Sequence, residues 1–248
     1  MIIKAVLTGQ SRGLGAALAG RLLERGIAVL GLARGRDAAL ALRFPETLRQ
    51  VELDLADPAA LAAWLVNSDL PTYLADAQTV LLINNAGTLQ PVGPLPAQDP
   101  AAIARAVSLN IAAPLMLSAA LAAWATGRPG LDLRIVHISS GAGRNAYPGW
   151  SLYGATKAAL DHHARAAALD ATPGLRICSL APGVVDTDMQ AEIRASRIED
   201  FPMRSRFEAL KREGGLLSPS ACAERLLTHL LGEHFGRSPV ADLRELAD

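Results

Sequence analysis

The sequence predicts an α/β fold: a doubly wound parallel sheet with helices on both faces, in a single domain. Three observations carry this. Short apolar runs alternate with longer helical patterns along all 248 residues. Those runs are near-continuously apolar rather than alternating, which suits strands covered on both faces. A glycine-rich stretch, TGQSRGLG, follows the first of them, where a strand must turn tightly into a helix.

Taken in order, the first strand is IIKAVLT (2–8), and its turn opens a helix over 14–25. AVLGLA (28–33) and RQVELD (49–54) follow as strands. Asp57 before Pro58 marks the start of a helix at 57–67, an acceptor at the cap and a ring at the first helical position. TVLLIN (79–84) leads into a helix over 101–126, LRIVHIS (133–139) into one over 151–171, and LRICSLA (175–181) into two more near 188–212 and 219–232. Such alternation implies right-handed βαβ units. With no repeat, linker or shift of composition, one domain spanning 1–248 is expected. The charged, less regular segment 186–215 follows a strand end, where ligands bind in such sheets, and is expected to cover the site.

Composition excludes several functions. The 24 basic and 24 acidic residues cancel, and no basic stretch is interleaved with aromatics. Neither nucleic acid nor a membrane is therefore an expected partner. Cys178 and Cys222 offer no disulfide framework or C-x-x-C site. No metal is expected, because His137 alternates into a core strand while His162 and His163 point about 100° apart on a helix. The N-terminus does not read as a signal peptide. The apolar segment Ile111 to Ala125 is broken by Pro114 and Ser118, too short to span a bilayer and better read as a core helix. The expected location is cytoplasmic.

The glycine turn is G-x-x-x-G-x-G (Gly9, Gly13, Gly15) with no G-K-[ST] after it, so it is not a P-loop. Its helix N-terminus offers free N–H groups to a diphosphate. NAD-preferring sites usually carry a carboxylate at the end of the second strand. Here Ala33 is followed by Arg34, and the turn adds Arg12. Two guanidiniums suit a 2′-phosphate, so NADP(H) is the expected cofactor. Asp54, ending the third strand, is placed to accept from an adenine amino group. Tyr153 and Lys157 lie one helical turn apart, where an ammonium would favour the phenolate and lower a phenol's pKa from about 10.

These motifs together resemble the short-chain dehydrogenase/reductase family over essentially the full chain. They are T-G-x-x-x-G-x-G (Thr8 to Gly15), N-N-A-G (Asn84 to Gly87), Asn110 in SLNIAAP, a serine with Y-x-x-x-K, and APGVVDTDM (Ala181 to Met189). The resemblance implies a Rossmann-type fold in which Tyr153 protonates the carbonyl oxygen as hydride transfers, and Lys157 lowers its pKa and bonds the nicotinamide ribose. It implies that Ser140, rather than Ser139, polarises the carbonyl, and that Asn110 holds a water in a proton relay. Ser139 would satisfy backbone groups at the strand end. Gly9, Ser11, Arg12, Gly13, Leu14, Gly15, Arg34, Asp54, Asn84, Ala86, Gly87, Pro182, Gly183, Val185 and Thr187 would surround the cofactor with Tyr153 and Lys157.

The C-terminal third is similar to the sepiapterin reductase and benzil reductase branch, in which a carboxylate near the C-terminus anchors a pterin. Asp242 is the corresponding position. Tyr147 and Trp150 would wall a flat substrate, and Phe201, Met203 and Phe207 would close over it. The expected activity is NADPH-dependent reduction of a ketone of the α-dicarbonyl class, benzil-like or a pterin side-chain diketone. A 3-oxoacyl carrier-protein reductase is one alternative, and a non-catalytic NADP(H)-sensing protein another. The alanine-rich helices at 111–126 and 154–171 match the family's subunit interface and imply a homodimer or homotetramer.

Overall fold

The computed structural model describes residues 1–246. Among these residues seven strands form one parallel sheet: β1 (Ile3–Thr8), β2 (Ala28–Ala33), β3 (Leu48–Glu52), β4 (Thr79–Asn84), β5 (Asp132–Ile138), β6 (Leu175–Ala181) and β7 (Val240–Asp242). Their spatial order is β3-β2-β1-β4-β5-β6-β7. The chain winds outward from β1 to β3, then crosses back to lay β4 on the other side of β1. That reversal leaves a crevice above the carboxyl ends of β1 and β4.

Alternating side chains of each strand feed two cores. Ala5, Leu7, Leu81, Ile83, Val136 and Leu180 point to one face, packed by α1 (Gly13–Glu24) and, near the chain's end, by the helix Pro219–Leu231. Val6, Leu30, Leu82 and Ile135 point to the other. There they meet α3 (Pro58–Asn67), which follows the short α2 (Ala38–Arg43), α4 (Leu70–Leu74), α6 (Ala113–Ala125), preceded by α5 (Pro100–Val107), and α7 (Ser151–Leu169). Each fully buried leucine contributes about 1.5–3 kcal/mol, so both faces must be covered for the sheet to persist. The remaining helices are α8 (Asp188–Ala195), α9 (Arg204–Arg212) and α10, the Pro219–Leu231 helix.

Asp57 caps α3 as its sequence position predicts, accepting from the N–H groups of Ala59 and Ala60. Besides the short helices α2 and α4, which the sequence reading does not anticipate, three features depart from expectation. The helix expected over 101–126 is interrupted by a π-turn at Ser108–Ala112, where Asn110 turns inward. By length and composition the run Pro100–Ala125 is apolar enough to cross a membrane, yet Leu117 and Leu121 are fully buried against the sheet. The segment expected as one helix over 188–212 is two, because Phe201 is drawn wholly inside between them. Finally, β7 was not expected at all. Its three residues are too few for any pattern, and its existence rests on pairing with β6 at Ser179↔Val240, Leu180↔Ala241 and Ala181↔Asp242.

Candidate active site

The first βα turn builds a cradle. Gly9 sits at φ +72°, in the left-handed region. At Gly15 a Cβ would lie 1.9 Å from the Gly9 carbonyl oxygen, so only glycine lets the helix start so close to the strand. Thr8 Oγ1 accepts from the N–H groups of Asn85 and Ala86, both at 2.9 Å, and locks the β4 loop beside the turn. Arg12 precedes α1 in extended backbone and provides no side-chain cap. The helix's first N–H groups are thus left for a ligand.

This turn borders a cavity of about 960 Å³ along the carboxyl edge of the sheet. Every strand from β1 to β6 contributes the residues that follow it: Ser11 to Gly15, Arg34, Asp54, Asn85 to Gly87, Ser140, and Pro182 to Val185 with Thr187. Asp54 accepts from the Ala56 N–H and from Arg105, and these bonds, with Arg34 nearby, hold its carboxyl below the usual range. Arg12 lies 3.8 Å from Asp188, both largely in solvent.

Asn84 does not reach this cavity. Strand alternation turns it under the sheet, where its amide contacts Ser118 Oγ at 3.5 Å and His137 Nδ1 at 3.1 Å. Asn85 takes the expected place, its Nδ2 donating to the carbonyls of Thr8 and Gly9. The sequence shows both asparagines; only the strand's register separates them. His137 Nε2 in turn lies 3.1 Å from His163 Nδ1. Burial pushes the His137 imidazole down to about 3, so it is neutral.

Ser140, Tyr153 and Lys157 meet on one wall of the cavity. Ser140 leaves β5 in extended backbone and accepts from the Ala142 N–H at 3.2 Å. Burial raises the Tyr153 pKa, and the neighbouring Ser140 hydroxyl partly offsets it. The expected acidification by Lys157 is thus reversed in this geometry. The reason is that Lys157 Nζ donates to the Ile138 carbonyl at 2.8 Å and lies 5.6 Å from the centre of the tyrosine ring. Burial lowers its own pKa to about 8, against an opposing pull from Asp161.

Asn110 lies behind the wall, only 1% exposed. Its Oδ1 accepts from the Thr88 N–H, while Nδ2 donates to the Thr88 carbonyl and to Thr156 Oγ1. A Cβ on Gly87 would lie 3.3 Å from Asn110 Oδ1 and 3.6 Å from Lys157 Nζ, so the two polar groups converge there. Ser139 serves a buried carboxylate rather than the backbone. Its Oγ donates to Asp161 at 2.7 Å, as does Ser179 Oγ, and Arg144 Nε donates to the other oxygen at 3.0 Å.

On the far side Trp150 stacks on Phe201 at 4.5 Å and meets Tyr153 edge-on at 5.5 Å. Tyr147, Trp150 and Phe207 line the cavity. Phe201 lies beneath Trp150, and Phe201 and Met203 do not reach the cavity surface. Asp242 does not reach it either. Its carboxylate takes Arg244 Nε at 2.9 Å and Nη2 at 2.6 Å, plus the Arg244 N–H, so the chain's own arginine occupies the expected substrate anchor. Arg244 lines the cavity in its stead. Only its position two residues beyond Asp242 could have pointed to it.

Residues 4–198 match the description of a short chain dehydrogenase. This chain belongs to that family. A benzil reductase ((S)-benzoin forming) of Bacillus cereus is 35% identical over 246 residues, covering 97% of this chain and 98% of its own. A sepiapterin reductase of Meriones unguiculatus is 36% identical, covering 93% and 92%. A crystal structure of a short-chain dehydrogenase/reductase from Burkholderia vietnamiensis aligns with a TM-score of 0.71 at 49% identity, covering 99% and 98%. Another, from Sphingobium yanoikuyae in complex with NADPH, aligns at 0.74 and 27% identity, covering 97% and 86%. As a short-chain dehydrogenase the protein is an oxidoreductase acting on a small molecule, with reductases of carbonyl compounds among its relatives. Its cradle fits the family's nicotinamide dinucleotide: the uncapped α1 terminus and the Gly9–Gly15 approach leave room and donors for a diphosphate.

Proposed function

We propose that this short-chain dehydrogenase is an NADPH-dependent carbonyl reductase acting on ketones of the α-dicarbonyl class. The reading rests on Ser140, Tyr153 and Lys157 meeting on one wall of a cavity that also holds the glycine cradle. The bound dinucleotide supplies the hydride. The chain's own residues do the rest. The Ser140 hydroxyl and Tyr153 phenol present donors to the substrate carbonyl oxygen, where negative charge develops. Burial keeps Tyr153 protonated at neutral pH, so it has a proton to give. Lys157, which donates to the Ile138 carbonyl and lies 5.6 Å from the centre of the tyrosine ring, is the cation available to favour the phenolate that remains.

Choice of phosphate follows from Arg12 and Arg34. Both line the cavity, and the end of β2 offers no carboxylate to repel a 2′-phosphate. The wall of Tyr147, Trp150 and Phe207 supports a flat or aryl substrate, consistent with the names of the benzil and sepiapterin reductase relatives. The segment 186–215 roofs this side, contributing Thr187, Met189, Ile193, Phe207 and Leu210. A second copy of the chain pairs through the outer faces of α6 and α7, whose alanines permit close approach. Purified protein should reduce benzil with NADPH. Tyr153→Phe should lower turnover by roughly 10²–10⁴-fold, and unchanged turnover would remove the mechanism.

A further inference from the structure

The carboxylate that the family resemblance implies as a substrate anchor is spent within the protein. Asp242 is 4% exposed and takes three donors from Arg244, with Arg144 Nη1 at 3.9 Å behind it. What lines the cavity is Arg244. The Arg244 side chain is 59% exposed and lines the same cavity as Tyr147, Trp150 and Tyr153. Its stem lies across Gly183, where a Cβ would sit 3.4 Å from Cγ and Cδ. Nε and one hydrogen of Nη2 are committed to Asp242. Nη1 and the second Nη2 hydrogen form the other edge of the fork, and no bond to it is made among the described residues.

A guanidinium fixed along one edge and free along the other is organised for a planar anion. Arg206, on α9, lines the cavity too, exposed and without an ion-pair partner among the described residues. Of the cavity's acids, Asp54 and Asp188 face Arg105 and Arg12, which leaves Glu192 as the opposing charge. We infer that Arg244, held in place by Asp242, is a specificity-determining residue that binds a substrate carboxylate, so that the preferred ketones are oxo acids. This deepens the carbonyl-reductase reading and rests on it.

The test compares phenylglyoxylate with its methyl ester, a pair that differs in charge at constant shape near the ketone. The wild-type enzyme with NADPH should show a lower KM for the acid. Arg244→Met should raise that KM by roughly 10–100-fold and raise the ester's KM far less. Arg244→Lys, which keeps the charge and loses the fork, should fall between. Asp242→Asn should also raise the acid's KM, since the guanidinium loses its tether. An acid-to-ester preference that is absent, or unchanged in Arg244→Met and Arg244→Lys, overturns the inference. Binding is read separately by calorimetry of phenylglyoxylate on NADP⁺-loaded Tyr153→Phe, with and without Arg244→Met. Arg244-dependent binding without turnover by any ketone upholds the anchor and overturns the reductase reading. Turnover of benzil and of the ester without that dependence does the reverse.

Discussion

Lys157 shows how one side chain can be costly to the fold and needed by the site. It is buried, holds a single carbonyl, and has its pKa drawn down to about 8 from an ordinary 10.5. Between those two values the unfolded chain binds the extra proton, so this group makes stability rise as pH increases from about 8 to 10.5. Lys157→Met should flatten that rise and raise the midpoint of urea unfolding at neutral pH, while activity is lost. A midpoint that falls would show that the ammonium stabilises the fold. Gly15 is the opposite case, a residue defined by what it lacks. Gly15→Ala places a methyl against the Gly9 carbonyl and should cost roughly 1–3 kcal/mol of stability, with a matching loss of NADPH affinity by calorimetry. The glycine triplet and the Tyr153–Lys157 turn were legible from spacing, and Ser140 from the family's interval before the tyrosine; all line one cavity. Asn84 and Asp242 were misplaced because orientation within a strand, and the presence of a partner two residues away, are not written in spacing.

Among the elements, β5, β6 and α7 are fastened by one carboxylate. Asp161 on α7 receives Ser139 after β5, Ser179 on β6 and Arg144 from the intervening loop. Asp161→Ala strands two hydroxyls and a guanidinium, and a loss of about 3–5 kcal/mol is expected in chemical denaturation. Ser140 and Tyr153 flank this fastening, so kcat should fall as well. A loss under 1 kcal/mol would show that water replaces the carboxylate easily. Strands β1 to β6 and the longer helices were readable because apolar runs and cap residues act locally. The π-turn, the break before α9 and β7 were not, since each exists through a tertiary contact: Asn110 with Thr88, Phe201 beneath Trp150, and β7 with β6.

For the whole molecule, the reversal of strand order sets one elongated cavity with its basic residues spread along it. Arg34→Asp should weaken NADPH by at least about tenfold while NADH changes little; equal effects would show that Arg34 faces no phosphate. Light scattering at micromolar concentration should give at least twice the 26.0 kDa chain mass. A monomeric mass would leave the α6 and α7 faces without the proposed copy. The buried line from Ser118 through Asn84 and His137 to His163 has a consequence of its own. His137 stays neutral in the fold down to about 3, whereas a free imidazole takes up its proton near 6.5. Stability is therefore complete above about pH 6.5 and drains away as the medium is acidified toward 3. The enzyme carries an intrinsic sensitivity to acid, seated in its interior behind the catalytic wall, where His137 also feels the charge of Lys157.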